Sequence, residues 1–185
     1  MDWMNQISGM LQQYSGANAN QAPQTVHDDY DQFAQAAPQS AIAEGLSAAF
    51  RSNETPPFGN MVAQMFGNAN GQQRAGILNS LIAAAGPALL SQIMSRGGSG
   101  GGGLSGLAGL LGGGQQQVTP EQAEQVSPEA VQEIAAQAEQ KDPSVVDQLS
   151  NFYSEHPTLV KTLGGAALTI ALAKIAQQQQ QYGNG

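Results

Sequence analysis

Cysteine is missing from all 185 residues. That excludes a disulfide framework, a thiolate nucleophile and any cysteine-ligated metal. Charge is scarce too. Only 11% of the chain is Asp, Glu, Lys or Arg, against about 25% in an ordinary soluble domain. Basic residues are the scarcer sign: six Lys and Arg face fourteen acids, for a net charge of −8. They are scattered along the chain, so sequence neighbours cannot build the basic face that phosphate-backbone binding needs, and no nucleic-acid partner is expected. Aromatics make up 5%. A core of close-packed helices with small side chains is therefore expected, rather than aromatic layers. Strand-like alternation and β-branched runs are also lacking, and everything periodic reads as helix. The opening MDWMNQISGM has neither the positive n-region nor the apolar run of a secretory signal, which points to a cytoplasmic protein.

Glutamine, asparagine, serine and glycine supply the polar surface in place of charge. Such a surface repels copies of itself only weakly and permits self-association. The charge that exists is uneven. Residues 58–117 hold two arginines and no acid, whereas residues 118–147 hold seven acids and one lysine. This asymmetry fits two separate halves.

Before residue 96 the helical stripes are short and clear. Trp3, Ile7, Met10, Leu11 and Tyr14 share one face. Thr25 reads as an N-cap with Asp28 three residues on. It precedes the stripe Val26, Tyr30, Phe33 and Ala37. Pro38 suits the first turn of a helix carrying Ile42, Leu46, Ala49 and Phe50. Met61, Val62, Met65 and Phe66 stripe the next. Asn70 and Gln73 resemble a capping pair for a helix carrying Ile77, Leu78, Leu81 and Ile82. Gly86 and Pro87 predict a kink, or a second helix over 88–95 that buries Leu89, Leu90, Ile93 and Met94.

Four starts follow the glycine stretch: VTPEQ, VSPEA, KDPSV and EHPTL. Each places a cap residue before proline. Thr119, Ser127 and Asp142 are good caps, and His156 is a weaker one. One short helix and three longer ones are expected, the last running from Pro157 into the glutamines at 177–181. Its uncharged run from Thr162 to Ala173 spans about 18 Å as helix, short of the ~30 Å hydrocarbon core of a bilayer. A buried core helix is the first reading of such a run; interfacial membrane contact, or spanning with Lys161 and Lys174 both snorkelling, are the alternatives. Gly165 and Thr169, four apart, would let another helix approach closely.

Chemistry-bearing residues are few. HDDYD alone clusters ligand-type side chains, with His27 and Asp31 four apart on a helix and within joint reach of a metal. Acids in a first helical turn also favour the positive end of the helix dipole, and a metal site needs three or four ligands. His156 reads as a helix-start residue, and the acids of 121–147 as a solvated face. No nucleophile elbow is present, and the glycine run lacks a GK[ST] ending and a preceding strand. No catalytic residue, metal site or cofactor is assigned, and the chain is read as a non-enzyme. Trp3, Met61, Met65 and Met94 could line an apolar groove, but methionines at helical spacing read first as core.

The stretch SRGGSGGGGLSGLAGLLGGGQQQ at 95–117 is different. Residues 97–103 are glycine and one serine, a flexible composition. Leu104, Leu107, Leu110 and Leu111 then recur at helical spacing. Glycines at 106, 109 and 112 each cost about 1 kcal/mol in a helix. Burying each leucine would gain roughly 1.5–3 kcal/mol. A plain linker has no use for them. These four leucines are the candidate interaction residues, docking on the protein's own core, a second copy or a lipid surface.

GLSGLAGLLGGG followed by VTPEQAEQVSPEAVQEIAAQAEQ resembles the bacterial YidB-like proteins of unknown function, over about residues 76–140. The resemblance implies a small helical, homeodomain-like bundle behind a glycine-leucine region. It carries no catalytic residues. The family's tryptophan-glycine-asparagine segment has no counterpart, since the only tryptophan is Trp3.

The sequence thus predicts an all-α protein of two small helical bundles, 1–96 and 118–182, joined by a Gly/Leu-rich segment at 97–117. Its expected role is non-catalytic interaction or self-assembly, with itself or another protein as partner. The alternatives are peripheral membrane association through 104–111 and 158–176 and, more remotely, a metal-dependent enzyme at His27 and Asp31.

Overall fold

The computed structural model describes residues 2–86, 88, 91, 95 and 117–182. Ten α-helices and no strand occur among the described residues, so the fold is all-α. They are α1 Asp2–Tyr14, α2 Val26–Ala36, α3 Gln39–Phe50, α4 Phe58–Asn68, α5 Gly71–Ala85, α6 Pro120–Glu124, α7 Pro128–Lys141, α8 Val145–Ser154, α9 Pro157–Val160 and α10 Gly165–Tyr182. Short 3-10 turns lie at Ala19–Gln21 and Lys161–Leu163.

The expected starts hold where the cap is local. Asn70 and Gln73 form a reciprocal capping box, and so do Thr119 and Gln122. Ser127 accepts from the Ala130 N–H, and Pro120, Pro128 and Pro157 sit at the first helical turn. Asp142 accepts from Ser144 instead of from the helix itself. The serine's side-chain and backbone bonds hold its carboxyl below the usual range. His156 makes no side-chain cap bond. Thr25 stands at the N-cap of α2 without capping it; its hydroxyl turns to Asp29.

The chain forms two compact units, Met1–Pro56 with Ser150–Gly185, and Pro57–Leu149. This differs from the expected division into 1–96 and 118–182. The reason is the route of the chain: the last helix packs with the first three, and α7 packs with α4. The boundary falls inside α8. The expected helix over 88–95 and the joining segment 97–116 lie outside the described residues, apart from residues 88, 91 and 95.

In the terminal unit, α10 packs against α1, α2, α3 and the first 3-10 turn. Its residues 167–173 are buried without a break. A helix apolar on all sides belongs inside a core, and residues 167–173 of the Thr162–Ala173 run accordingly lie in one, while Thr162 and Gly164–Ala166 are half-buried. Gly45 of α3 makes room for Ile175: a Cβ there would lie 2.6 Å from Ile175 Cγ1. Gly165 packs closely too, its Cβ position being 3.3 Å from Ala22 Cβ. Tyr14, Tyr30, Phe33, Phe50 and Tyr153 are buried. The aromatics are few but mostly internal, so this core mixes rings with alanines. The last helix does not start at Pro157 as expected. Gly164 adopts φ 84 and ψ 168, a conformation only glycine takes without strain. Pro157–Leu163 and Gly165–Gln178 therefore meet at 115°.

In the middle unit α4 lies against α7, and α5 against α6 and α7. A Cβ at Gly59 would sit 2.6 Å from the Gln132 carbonyl oxygen, so the α4 and α7 backbones nearly touch there. Phe58, Met61, Val62, Met65 and Phe66 face Val131, Ile134, Ala135 and Ala138 as buried residues of that core. Gly86 ends α5 at φ 75. Asn79 Oδ1 accepts from the Val118 N–H at 2.7 Å, which fixes the chain just before α6.

Candidate functional site

The HDDYD cluster opens α2, and the structure separates its members. Asp29 is buried. Its Oδ2 accepts from the Tyr14 hydroxyl at 2.5 Å, Thr25 Oγ1 at 3.0 Å and Gln13 Nε2 at 3.3 Å. Burial, together with the bond to Asp29, pushes the Tyr14 phenol above its usual range. Asp31 instead pairs with Lys161 Nζ at 2.6 Å. Asp28 is exposed, and His27 is half-buried. Among the described residues no group of three or more His, Asp or Glu could hold a metal ion. The cluster ties α1 and the Lys161 turn to α2. Sequence reading missed Asp29, because two of its three partners come from another helix.

The scarce cations are used in a similar way. Arg74 donates through Nε to the Phe66 and Ala69 carbonyls and through its terminal amine to Gly67. Its guanidinium also lies 5.1 Å from the Phe66 ring centre. It thus adds a donor to carbonyls at the end of α4, where Phe66 also accepts from the Ala69 N–H. Lys141 donates to Ala85 at the end of α5 at 2.6 Å. Arg51 bonds the Ser47 hydroxyl one turn earlier on α3. Arg74 and Lys141 bond carbonyls at helix ends, Arg51 a hydroxyl of its own helix and Lys161 an acid, each within its own unit.

The other named residues fall as follows. Met61 and Met65 are buried to 1% and 0% exposure. They are core, and they line no open groove. Trp3 is half-buried and packs edge-on against Phe33, with centroids 6.4 Å apart. Met94, Leu104, Leu107, Leu110 and Leu111 lie outside the described residues. His156 stacks on Phe152 at 4.5 Å and 28°, with Nδ1 2.9 Å from the Phe152 carbonyl. Glu121, Glu124, Glu129, Glu133 and Asp147 are exposed. They form a solvated face, not a carboxylate pair.

Two features had no signal in the sequence. A cleft of about 200 Å³ between α1 and α10 is lined by Ser8, Leu11, Gln12, Ser15, Ala176 and Gln180. It carries hydroxyls and carboxamides and no charged group. Gln180 Nε2 donates to Ser15 Oγ across it at 2.8 Å. The hydroxyls of Tyr30 and Tyr153 are buried without a partner among the described residues. Burial raises both phenols above their usual range.

No single helix among the described residues is long and apolar enough to cross a membrane. Pro157–Leu163 with Gly165–Gln178 passes that test only as a bent pair. No protein-family model, curated protein or solved structure matches this chain.

Proposed function

We propose that the chain is a non-catalytic association protein whose binding element is the leucine-glycine segment 104–111. The observation that carries this reading is LSGLAGLL itself: four leucines in eight residues, set among glycines. Apolar side chains at that density are unfavourable in water and gain from a partner surface. The rest of the molecule supports the reading. The described charged groups with cross-helix partners hold helices together, and the low surface charge sets up little repulsion between copies. The resemblance to YidB-like proteins belongs to the same proposal, and it adds no chemistry.

Light scattering coupled to gel filtration tests it, on the full chain and on a version lacking 104–111. The expected result is an oligomer for the first and a monomer for the second. Two monomers would remove the reading's main support.

A further inference from the structure

We propose that Asn70 is a site of spontaneous deamidation, gated by the capping box that opens α5. This goes beyond the association reading and does not rest on it.

Asn70 and Gly71 are neighbours in NANGQQ. In an Asn-Gly pair the following backbone nitrogen reaches the side-chain amide, because glycine has no side chain to obstruct it. A bond forms from Gly71 N to Asn70 Cγ, and the bond from Cγ to the amide nitrogen breaks. That nitrogen leaves as ammonia, with the proton of the Gly71 N–H. Water then opens the cyclic imide at one carbonyl or the other. The product is aspartate or isoaspartate at the position, and the only co-reactant is water.

Two separate structural demands bring this pair together. Asn70 is the N-cap of α5, a place that favours Asn, Asp and Ser. Gly71 lies against α6: a Cβ there would stand 3.3 Å from Pro120 Cβ and 2.8 Å from Glu124 Oε1, which leaves little room for a side chain. The cap selects the asparagine, the close approach selects the glycine, and their union is a reactive bond.

The same cap holds the pair out of reacting geometry. Asn70 is exposed, so water reaches it freely. Closing the imide ring needs Gly71 N nearly eclipsed with Asn70 Cβ about the Cα–C bond. At ψ 171 that nitrogen is instead anti to the Asn70 nitrogen and gauche to Cβ. Asn70 Oδ1 accepts from the Gln73 N–H at 2.9 Å, and Gln73 Oε1 accepts from the Asn70 N–H at 3.1 Å. Turning ψ to the closing angle breaks both bonds and the entry into α5. Gly71 is the first residue of that helix, and its N–H stands outside the helical ladder. Fraying of one turn is therefore enough, without unfolding of the unit. The two products then differ. Aspartate keeps an acceptor at the N-cap, whereas isoaspartate routes the backbone through its side chain and loses the cap.

The test follows the full chain in mildly alkaline buffer, native and in guanidinium chloride. Peptide mapping by mass spectrometry reads conversion of carboxamide to carboxyl at position 70. Conversion is expected in both states, roughly tenfold slower in the native one, where two hydrogen bonds must open first. Gln73→Ala removes one of those bonds. It should speed the native reaction about threefold, leave the denatured rate unchanged and keep the helical circular dichroism. The other Asn-Gly pair, Asn184–Gly185, lies outside the described residues and serves as a clock, with equal rates expected in both proteins. No conversion in denaturant would overturn the site. Equal native and denatured rates would overturn the gate, and so would a Gln73→Ala chain that reacts no faster at position 70.

Discussion

Each unit brings two helices together over a glycine, but the glycines face different obstacles. In the terminal unit, Gly45 of α3 faces the Cγ1–Cδ1 arm of Ile175 on α10. In the middle unit, Gly59 of α4 faces the carbonyl oxygen of Gln132 on α7. A side-chain end can rotate or shorten, whereas a backbone carbonyl is fixed by its own helix. The first contact is adjustable and the second is not. The difference predicts which helix pair tolerates change.

The largest effect should come from Gly59→Ala. The new methyl cannot avoid Gln132 O at 2.6 Å unless α4 and α7 move apart. Overpacking of this kind costs typically 1–3 kcal/mol; we expect about 3, even after alanine's gain in helix propensity of about 1 kcal/mol. Denaturant melts followed by circular dichroism should show the loss. Trp3, the only tryptophan, lies in the terminal unit and reports that unit alone. If its fluorescence midpoint falls as far as the circular-dichroism midpoint, the two units unfold as one and the contrast loses its meaning.

Asp29→Ala should come next. It removes the acceptor shared by Tyr14, Thr25 and Gln13 and strands a buried phenol donor. Bonds to a charged group contribute about 1.5–3 kcal/mol, so a loss of about 2 is expected, seen first in Trp3 fluorescence because α1 is the helix released. Gly45→Ala should cost less, about 1 kcal/mol, because strain and propensity oppose each other. Adding Ile175→Val, which deletes the Cδ1 nearest the new methyl but keeps the Cγ1 position, should recover part of that loss, because the shorter side chain can turn away. If the valine recovers nothing, the α3–α10 contact is as rigid as the other and the contrast fails.

Local chemistry was legible in the sequence and tertiary chemistry was not. The capping pairs Asn70–Gln73 and Thr119–Gln122 sit three residues apart, so spacing reveals them. The same reasoning set Thr25 against Asp28. It failed because Asp29 offers Thr25 a carboxylate one residue further on, held in place by Tyr14 and Gln13 of another helix. Lys161 and Asp31 stand 130 residues apart, and no periodicity links them. The division into compact units differs from the one read along the chain for the same reason. A glycine-rich stretch marks a change of composition along the chain, whereas units are set by which apolar faces meet, and α10 meets α1–α3. The break at Gly164 was hidden by an apolar pattern that runs on across it. The four leucines of the candidate interaction segment were legible as a pattern, and they lie outside the described residues.

The smallest effects lie among the three buried tyrosines of the terminal unit, and their signs differ. Tyr14 gives its hydroxyl to Asp29, while the hydroxyls of Tyr30 and Tyr153 have no partner among the described residues. Removing an unpartnered buried hydroxyl relieves a desolvation penalty. Tyr30→Phe and Tyr153→Phe should therefore leave stability unchanged or raise it by up to about 1 kcal/mol. Tyr14→Phe should lower it by a similar or larger amount. Alkali gives the same comparison without mutation. All three phenols are held above their usual range, chiefly by burial. A raised folded pKa means that the folded state keeps its proton where the unfolded chain has lost it. The stabilisation is complete below the unfolded value of about 10 and drains away as pH rises above it. Thermal melts should be insensitive to phenol ionisation near neutrality and fall from about pH 10 upward. The fall should be shallower in Tyr153→Phe, which has one buried phenol fewer to ionise. An equally steep fall in that variant would mean that the Tyr153 hydroxyl reaches water in the folded protein, and the predicted gain from deleting it would disappear with the penalty.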